Sequence, residues 1–295
     1  MTTSTTSTRS TRKRRTSTSD HGSSGAADKD QRLRELLSGF SSAIVAFSGG
    51  VDSAYLSVVA TQVLGPGALC VTADSPNYPE HHRSLARQVA QSFALRHEVV
   101  ATAELERPEY RANPVNRCYY CKDELYSTLT AIASARAIDV VLDGNNADDR
   151  GDYRPGRTAA REHGVRSPLD EVGLTKAEIR ELSRAAGMVT WDEPASACLS
   201  SRVPYDHEIT NDTLRMIERA EDALRALGFR VCRVRHHDTL ARLELGRDEI
   251  ARALDEGMRD EILKTLRDIG YRQVAVDLQG YRMGSLNEGI RLQPV

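Results

Sequence analysis

Ala43-Ile44-Val45-Ala46-Phe47-Ser48-Gly49-Gly50-Val51-Asp52-Ser53 decides the reading of this chain. An unbroken apolar run leads into two glycines, and a helical pattern follows directly. A buried strand, a glycine turn and a helix start together make a cradle for phosphate. Glycines let the backbone approach an anion and adopt positive φ. The free N–H groups of the first helical turn point at that anion, and the helix dipole favours it. Ser48 and Ser53 add hydroxyl donors, and the Asp52 carboxylate is a candidate for contact with Mg²⁺. No lysine follows the second glycine, so this is not the GxxxxGK[ST] loop. A turn without a ligand is the plain alternative, and the strand and helix on either side weigh against it.

The pattern continues on both sides of this loop. Leu33, Leu36, Leu37 and Phe40 recur at helical spacing, and order is expected to begin near Gln31. Leu56, Val59 and Val63 form the buried face of the helix after the loop. Leu69-Cys70-Val71-Thr72, Glu98-Val99-Val100 and Val140-Val141-Leu142 read as strands, with helices through Leu85–Phe93 and Leu125–Ile132 between them. Alternating strands and helices predict an α/β fold, a parallel sheet with helices on both faces. Ligands of such sheets bind beyond the carboxyl ends of the strands, where the glycine loop and Asp143-Gly144-Asn145 both fall.

Thr175-Lys176-Ala177-Glu178 has the form of a capping box, opening a helix through Leu182 that Gly187 ends. Beyond Trp191 the pattern changes. Leu214, Ile217, Leu224 and Leu227 mark a long amphipathic helix. Strands over Arg230–Arg235 and Leu240–Leu245, a helical stretch over Ile250–Ile269 and a strand over Gln273–Leu278 follow. Three segments are therefore expected. Residues 1–29, Ser/Thr-rich with the basic run Arg12-Lys13-Arg14-Arg15, cannot bury enough apolar surface to order. Residues 30–194 form the nucleotide-binding domain, and residues 195–295 a smaller α+β domain. There is no internal repeat.

The 295 residues carry a net charge of −2, which argues against a dedicated nucleic-acid binder. No apolar run is long enough to cross a bilayer, and no secretory signal opens the sequence. Five cysteines, Cys70, Cys118, Cys121, Cys198 and Cys232, do not make a secreted disulfide framework. A cytoplasmic protein with metal-binding or reactive thiols is expected.

Cys118-Tyr119-Tyr120-Cys121 is a CxxC pair within Asn113-Pro114-Val115-Asn116-Arg117-Cys118-Tyr119-Tyr120-Cys121-Lys122. By itself CxxC fits a redox pair, half a zinc site or part of an iron–sulfur site. A structural zinc site needs four N/S ligands. Cys70 and Cys232 lie within apolar or alternating strands and read as packing residues. Cys198, in Ala197-Cys198-Leu199-Ser200-Ser201-Arg202, is the third candidate thiolate. Three thiolates on a four-iron cluster leave one iron open; unrelated thiols beside a chance CxxC are the alternative.

Taken in order, these motifs carry a resemblance. Ser48–Ser53 resembles the SGGxDS loop of the PP-loop pyrophosphatases, which cleave ATP between its α and β phosphates. With it stand the Cys118–Cys121 segment, Asp143–Asp149, Asp152-Tyr153-Arg154-Pro155-Gly156, Ser167-Pro168-Leu169, Glu193-Pro194, Cys198–Arg202, Asp277-Leu278, Gly280-Tyr281-Arg282 and Gly284-Ser285-Leu286-Asn287. Together they resemble the LarE family of ATP-dependent sulfur transferases, which act in nickel-pincer nucleotide biosynthesis. The resemblance runs from about residue 30 to about residue 290. Ala54 departs from it, standing where many PP-loop proteins have a second hydroxyl.

The resemblance implies an enzyme that adenylylates the carboxylates of a pyridinium-3,5-biscarboxylic acid mononucleotide and converts them to thiocarboxylates. ATP and Mg²⁺ would sit at Ser48, Gly49, Gly50, Asp52 and Ser53. Cys118, Cys121 and Cys198 would bind a [4Fe-4S] cluster whose open iron carries the transferred sulfide, with sulfide or another sulfur donor as partner. The other mode in the family uses the cysteine matching Cys198 as a sacrificial donor. The resemblance also implies a homo-oligomer. Arg233 and Arg235, two apart on one strand face, suit the substrate phosphate. Ser200, Ser201 and Arg202 would orient substrate or AMP, and Lys122 would neutralise phosphate or lower a thiolate pKa. Arg242 and Glu244 share a strand face and could pair across the sheet. Asp148, Asp149 and Asp152 form a carboxylate cluster that is either solvated or a Mg²⁺ site. His81-His82 and His236-His237 match no zinc motif and receive no role.

Three rivals remain at this level. A tRNA thiolation enzyme shares the loop and three cysteines, but a near-neutral chain without spare cysteine pairs fits it poorly, so no stable nucleic-acid partner is expected. Amide-forming PP-loop synthetases leave the cysteines unexplained. A non-catalytic nucleotide sensor would use the loop alone.

Overall fold

The computed structural model describes residues 1–2, 21–151, 155–194 and 197–282. The expected disordered tail falls largely on residues 3–20, outside the described residues. So do Asp152, Tyr153 and Arg154 and the Gly284-Ser285-Leu286-Asn287 motif.

The N-terminal unit runs α1 (His21–Ser38), β1 (Ala43–Ala46), α2 (Val51–Leu64), β2 (Ala68–Asp74), α3 (Glu80–Ser92), β3 (His97–Ala101), α4 (Pro108–Arg111), α5 (Arg117–Ala135), β4 (Val140–Leu142), α6 (Pro155–Glu162), α7 (Pro168–Glu171) and α8 (Lys176–Ala185). Its four strands are all parallel, in the order β3-β2-β1-β4. Period-two alternation along β1 explains the layering. Ala43 and Val45 face α1, α2 and α8, with Leu33, Leu37, Leu56, Val59 and Ile179 in one core. Ile44 faces the other way, with Leu69, Val71 and Val141, onto Tyr126, Leu129, Ala159 and Ala160 of α5 and α6. The expected sheet with helices on both faces is present. Because β2 lies on one side of β1 and β4 on the other, the strand order reverses at β1. The carboxyl ends of β1 and β4 are where a sheet of this topology binds ligands.

The first helix begins at His21, ahead of the expected start near Gln31. Tertiary contacts explain the difference. Ala26 is buried, Lys29 Nζ bonds Glu178 Oε1 of α8 at 2.6 Å, and Asp30 accepts a hydrogen bond from the Tyr55 hydroxyl. Order thus reaches into the segment assigned to the disordered tail.

The C-terminal unit contains α9 (Asn211–Ala226), β5 (Cys232–His237), β6 (Leu240–Leu245), α10 (Ile250–Leu254), α11 (Glu256–Ile269) and β7 (Gln273–Val276). β5 and β6 form an antiparallel hairpin, and β7 joins β6 in parallel. The stretch expected as one helix over Ile250–Ile269 is two, broken where Asp255 takes extended backbone, φ −58° and ψ 139°. Cys232, Val234, Leu243 and Leu245 face α9 and α11, while Arg233, Arg235, Arg242 and Glu244 line the opposite face. Among the described residues no helix is long and apolar enough to cross a membrane.

Candidate active site

The glycine loop takes the shape that its sequence requires. Gly49 has φ +67°, and a Cβ there would lie 2.8 Å from the His82 carbonyl oxygen and 3.0 Å from the Ala86 nitrogen. Only glycine lets α3 come this close. Gly50 caps α2 with extended backbone, which leaves the first-turn N–H groups of a fourteen-residue helix open to an anion. Inside the loop, Ser53 Oγ accepts from Ser48 N at 3.1 Å and lies 3.0 Å from Ser48 Oγ. Gly144, just beyond β4, closes the other wall, since a Cβ there would meet Ser53 N at 2.9 Å. Asp143 is buried and accepts from the Tyr126 hydroxyl at 2.8 Å and Ser167 Oγ at 2.7 Å.

Asp52 points one carboxylate oxygen at Lys176 Nζ of α8, in an ion pair. Its other oxygen, Oδ1, is buried without a hydrogen-bond partner among the described residues. A buried carboxylate oxygen left unpaired is costly unless a cation or donor comes to it. This suits Mg²⁺ beside a polyphosphate. In the acidic loop, Asp149 accepts from Asn146 N at 2.9 Å, and Asp148 from Lys176 N at 2.8 Å. Asp152 lies outside the described residues.

The candidate cysteines lie on two further segments. Cys118 and Cys121 lie in the first turns of α5, the former exposed and the latter partly buried, and Cys198 precedes a 3-10 turn over Leu199–Arg202. Cys121 is within electrostatic reach of both Cys118 and Cys198. Burial pushes its thiol pKa well up, and the charge of Glu104 adds to this. Among the described residues, however, no three His, Cys, Asp or Glu side chains draw together tightly enough to hold a metal ion. The donor chemistry fits an iron–sulfur cluster in kind, three soft thiolates on two adjoining elements. Lys122 packs its stem against Gly156, where a Cβ would meet its Cγ at 2.8 Å, and places Nζ 5.4 Å from the Tyr126 ring centroid.

Two segments stitch these ends together. Asn77 accepts from Leu199 N at 3.1 Å through its carbonyl, and from Ser200 N and Oγ at 3.0 and 2.7 Å through its side chain. The next residue, Tyr78, donates its hydroxyl to Ser48 O at 3.0 Å. Asn113 of the CxxC segment donates to Val203 O at 3.3 Å and Pro204 O at 2.6 Å. Phosphate loop, CxxC helix and Cys198 turn are therefore one braced structure.

This bracing revises two expectations. Ser200 is fully buried, its Oγ donating to Asn77 and sharing a 2.7 Å hydrogen bond with the Tyr110 hydroxyl, so it does not face a substrate. Arg202 is buried as well. Its Nε and one terminal nitrogen bond Glu221 at 2.7 and 2.9 Å, and the other bonds Ala197 O, Cys198 O and Ser201 Oγ at 2.7, 3.0 and 2.9 Å. All three of its nitrogens are engaged, which makes it an anchor of the cysteine turn. Ser201 remains half-buried, with Oγ on Cys198 O at 2.8 Å.

Arg233 and Arg235 share a face of β5, as expected, but both are buried. Arg235 bonds Ser201 O at 2.6 Å and Glu244 at 2.7 Å; Arg233 bonds Cys232 O at 2.7 Å and lies 5.1 Å from the Tyr281 ring centroid. Arg242 pairs with Glu244 at 3.1 Å, as the shared face predicted. Burial, then the neighbouring charge of Arg202, lowers the Arg233 pKa. Arg202, Arg235 and Arg242 pair with Glu221, Glu244 and Asp277 in this layer, and Arg233 lies beside them on the same face as Arg235.

Sequence reasoning missed Glu221, Asn77, Tyr110, Lys176 and His82. Glu221 had a signal: it falls seven residues after Leu214 and four after Ile217, on the apolar stripe of α9. An acid on that stripe needs a buried cation. Burial raises its pKa, but Arg202, then Arg233 and Arg225, overcome this and hold it at about 2.

The asparagine synthase family matches residues 33–166, the span of the parallel sheet. An uncharacterized protein of Synechocystis is 44% identical over 88% of this chain and 97% of its own length. Pyridinium-3,5-bisthiocarboxylic acid mononucleotide synthase of Lactiplantibacillus plantarum is 34% identical, covering 89% of this chain and 95% of its own. An uncharacterized protein of Methanocaldococcus jannaschii is 30% identical over 81% of this chain and 90% of its own. The chain belongs to the family of the pyridinium-3,5-bisthiocarboxylic acid mononucleotide synthase.

Proposed function

We propose that this member of the pyridinium-3,5-bisthiocarboxylic acid mononucleotide synthase family is an ATP-dependent sulfur transferase. Its substrate is pyridinium-3,5-biscarboxylic acid mononucleotide, and its product carries thiocarboxylates, for a nickel-pincer cofactor. The observation that supports this best is the bracing of the Ser48–Ser53 loop to the Cys198 turn through the adjacent residues Asn77 and Tyr78. A phosphate site and a sulfur site held in one frame suit activation followed by sulfur transfer.

The chemistry follows from what each end supplies. A substrate carboxylate oxygen attacks the α-phosphorus of ATP, and the bond to the bridging α,β-oxygen breaks. Pyrophosphate leaves with that electron pair, steadied by the loop amides, Ser48 and Ser53. Asp52, with its unpartnered oxygen, would hold Mg²⁺, which neutralises charge on the leaving group. A sulfur nucleophile then attacks the acyl carbon, and AMP departs with the former carboxylate oxygen. Arg233 and Arg235 would hold the substrate phosphate, Ser201 would orient substrate or AMP, and Lys122 would balance charge beside Cys118 and Cys121.

Cys118, Cys121 and Cys198 would hold a [4Fe-4S] cluster, which supplies an exchangeable sulfide when bound. A second reading has Cys198 give up its own sulfur, the other mode that the family resemblance implies. The family resemblance supports a cytoplasmic homo-oligomer. The test is to give the anaerobically purified chain ATP, Mg²⁺ and the biscarboxylic nucleotide. Pyrophosphate release that depends on this substrate, with oxygen-for-sulfur exchange in the product mass, is expected. No substrate-dependent release overturns the proposal. Iron and acid-labile sulfide at about four per chain support the cluster, and a mass loss at Cys198 supports the sacrificial donor.

A further inference from the structure

Arg157 carries a donor that the chain does not satisfy. It stands in the first turn of α6, where its Nη2 bonds Asp170 Oδ2 of α7 at 2.6 Å. Its Nη1 is buried and has no hydrogen-bond partner among the described residues. The side chain still keeps 30% of its surface, so a solute can reach the guanidinium. Asp170 is taken twice, since Arg150 bonds its Oδ1 and its carbonyl oxygen as well. Two guanidiniums on one carboxylate leave one positive charge over. An idle N–H on a surplus cation calls for an anion.

Contacts place this charge beside the phosphate loop. Asp170 lies three residues after Ser167, whose hydroxyl bonds Asp143 Oδ1 at 2.7 Å. Gly144, the residue after Asp143, abuts Ser53 of the loop. From Asp170 the chain runs on through Leu174, which accepts from Ala147 N at 2.9 Å, to Lys176, the partner of Asp52. Lys176 and Asp52 balance one another, whereas Arg157 and Arg150 outnumber Asp170. The sheet order separates the two ends of the triphosphate. Strands β2 and β4 flank β1 on opposite sides. The β2 side leads through Asn77 and Tyr78 to the turn of Cys198, the cysteine that both sulfur modes use. The β4 side leads to Arg157. With the α-phosphoryl group turned to the acceptor and the sulfur, the β and γ phosphates fall on the β4 side.

Resting on the proposed function, we infer that Arg157 binds the β and γ phosphates of ATP, the pair that leaves as pyrophosphate. Nη1 donates to a phosphate oxygen while Nη2 stays on Asp170, which fixes the plane of the fork. Arg150 offsets the Asp170 charge, so the charge of Arg157 goes to the anion. Its worth grows as charge collects on the leaving group. Gly156, the residue before it, packs on Lys122 and the Cys118 carbonyl, which sets the start of α6 against the CxxC helix.

The test titrates ATP with Mg²⁺ and, separately, AMP into the full chain by calorimetry, in the wild type and in Arg157→Gln. Arg150 still neutralises Asp170 in this variant, so the fold should hold, and a thermal melt checks it. ATP affinity should fall about tenfold, the weight of one hydrogen bond between charged groups, while AMP affinity stays within about twofold. Arg157→Lys keeps the charge, should lose less ATP affinity than Arg157→Gln, and decides the matter where the Gln variant melts early. Unchanged ATP affinity overturns the inference. So does an equal loss for AMP, which a merely structural role would give. The proposed function stands in both cases. If the wild-type chain binds no ATP, both fall.

Discussion

Arg202 and Glu221 form a two-pronged ion pair that water does not reach, at 2.7 and 2.9 Å with both side chains 1% exposed. The guanidinium also bonds the carbonyls of Ala197 and Cys198, so the shape of the cysteine turn depends on a carboxylate in α9. Removing one partner of a buried pair strands the other charge. Arg202→Ala should cost about 3 kcal/mol, with Arg225 and the Val234 amide retaining part of the grip on Glu221. Denaturant unfolding measures this. Arg202→Lys should restore little, since an ammonium cannot bond both carboxylate oxygens and two carbonyls in one plane.

The same pair sets a pH dependence. The folded pKa of Glu221, about 2, lies below its ordinary value of 4.5. The stabilisation it provides is therefore complete above about pH 4.5 and is lost as pH falls through 2. Melting temperature between pH 6 and pH 2 should fall less steeply in Glu221→Gln than in the wild type, from a lower starting value. Equal slopes would show that the pair does not carry this linkage.

Much of this fold was readable, and the reasons are local. β1, β2 and β4 are short apolar runs ending at turn residues, and glycines 49 and 50 sit where the backbone needs them, so strand, loop and helix follow from neighbours in sequence. The role of Ser200 was not readable. Its hydroxyl resembles a substrate contact until Tyr110 and Asn77, distant in the chain, are seen to bond it. The start of α1 is similar: nothing local in a Ser/Gly-rich segment anticipates a salt bridge to Glu178. Arg233 and Arg235 were placed on one face correctly, but their burial depends on the turn and Tyr281 that lie against that face.

Glycine positions separate strain from contact. Gly49→Ala would put a Cβ 2.8 Å from the His82 carbonyl in a loop with φ +67°. It should cost about 1–3 kcal/mol for the backbone alone and abolish nucleotide binding, because α3 has to move away from the loop. Gly187 has φ +69° but nothing within 4 Å of a Cβ. Gly187→Ala should cost about 1 kcal/mol and leave ATP affinity unchanged. Thermal melts and calorimetric ATP titrations on the two variants check the contrast.

Lys176 and Asp52 join α8 to the phosphate loop. With Lys176 on one carboxylate oxygen and the other unpartnered, removing the lysine and neutralising the aspartate should act differently. Lys176→Ala should weaken ATP binding about tenfold at low salt, less at high salt, with Mg²⁺ still required. Asp52→Asn should instead raise the Mg²⁺ concentration needed for half-maximal pyrophosphate release. Identical Mg²⁺ profiles for the two variants would remove the distinct role given to Asp52.

Cys198 sits at the entry to a turn whose backbone is held by Arg202, Ser201 and Asn77, not by its own side chain. Replacing its sulfur should therefore leave the frame intact. Cys198→Ala should fold with near wild-type stability and retain most substrate-dependent pyrophosphate release, since the phosphate loop is supported through Tyr78. Thiocarboxylate formation should be lost whether the sulfur leaves from a cluster sulfide or from Cys198 itself. The two sources separate at Cys118→Ala, which should abolish turnover if a cluster supplies the sulfur and leave a single turnover intact if Cys198 does. Product mass and pyrophosphate measured side by side on both variants decide the matter. Thiocarboxylate made by Cys198→Ala would exclude any sulfur-transfer role for this residue.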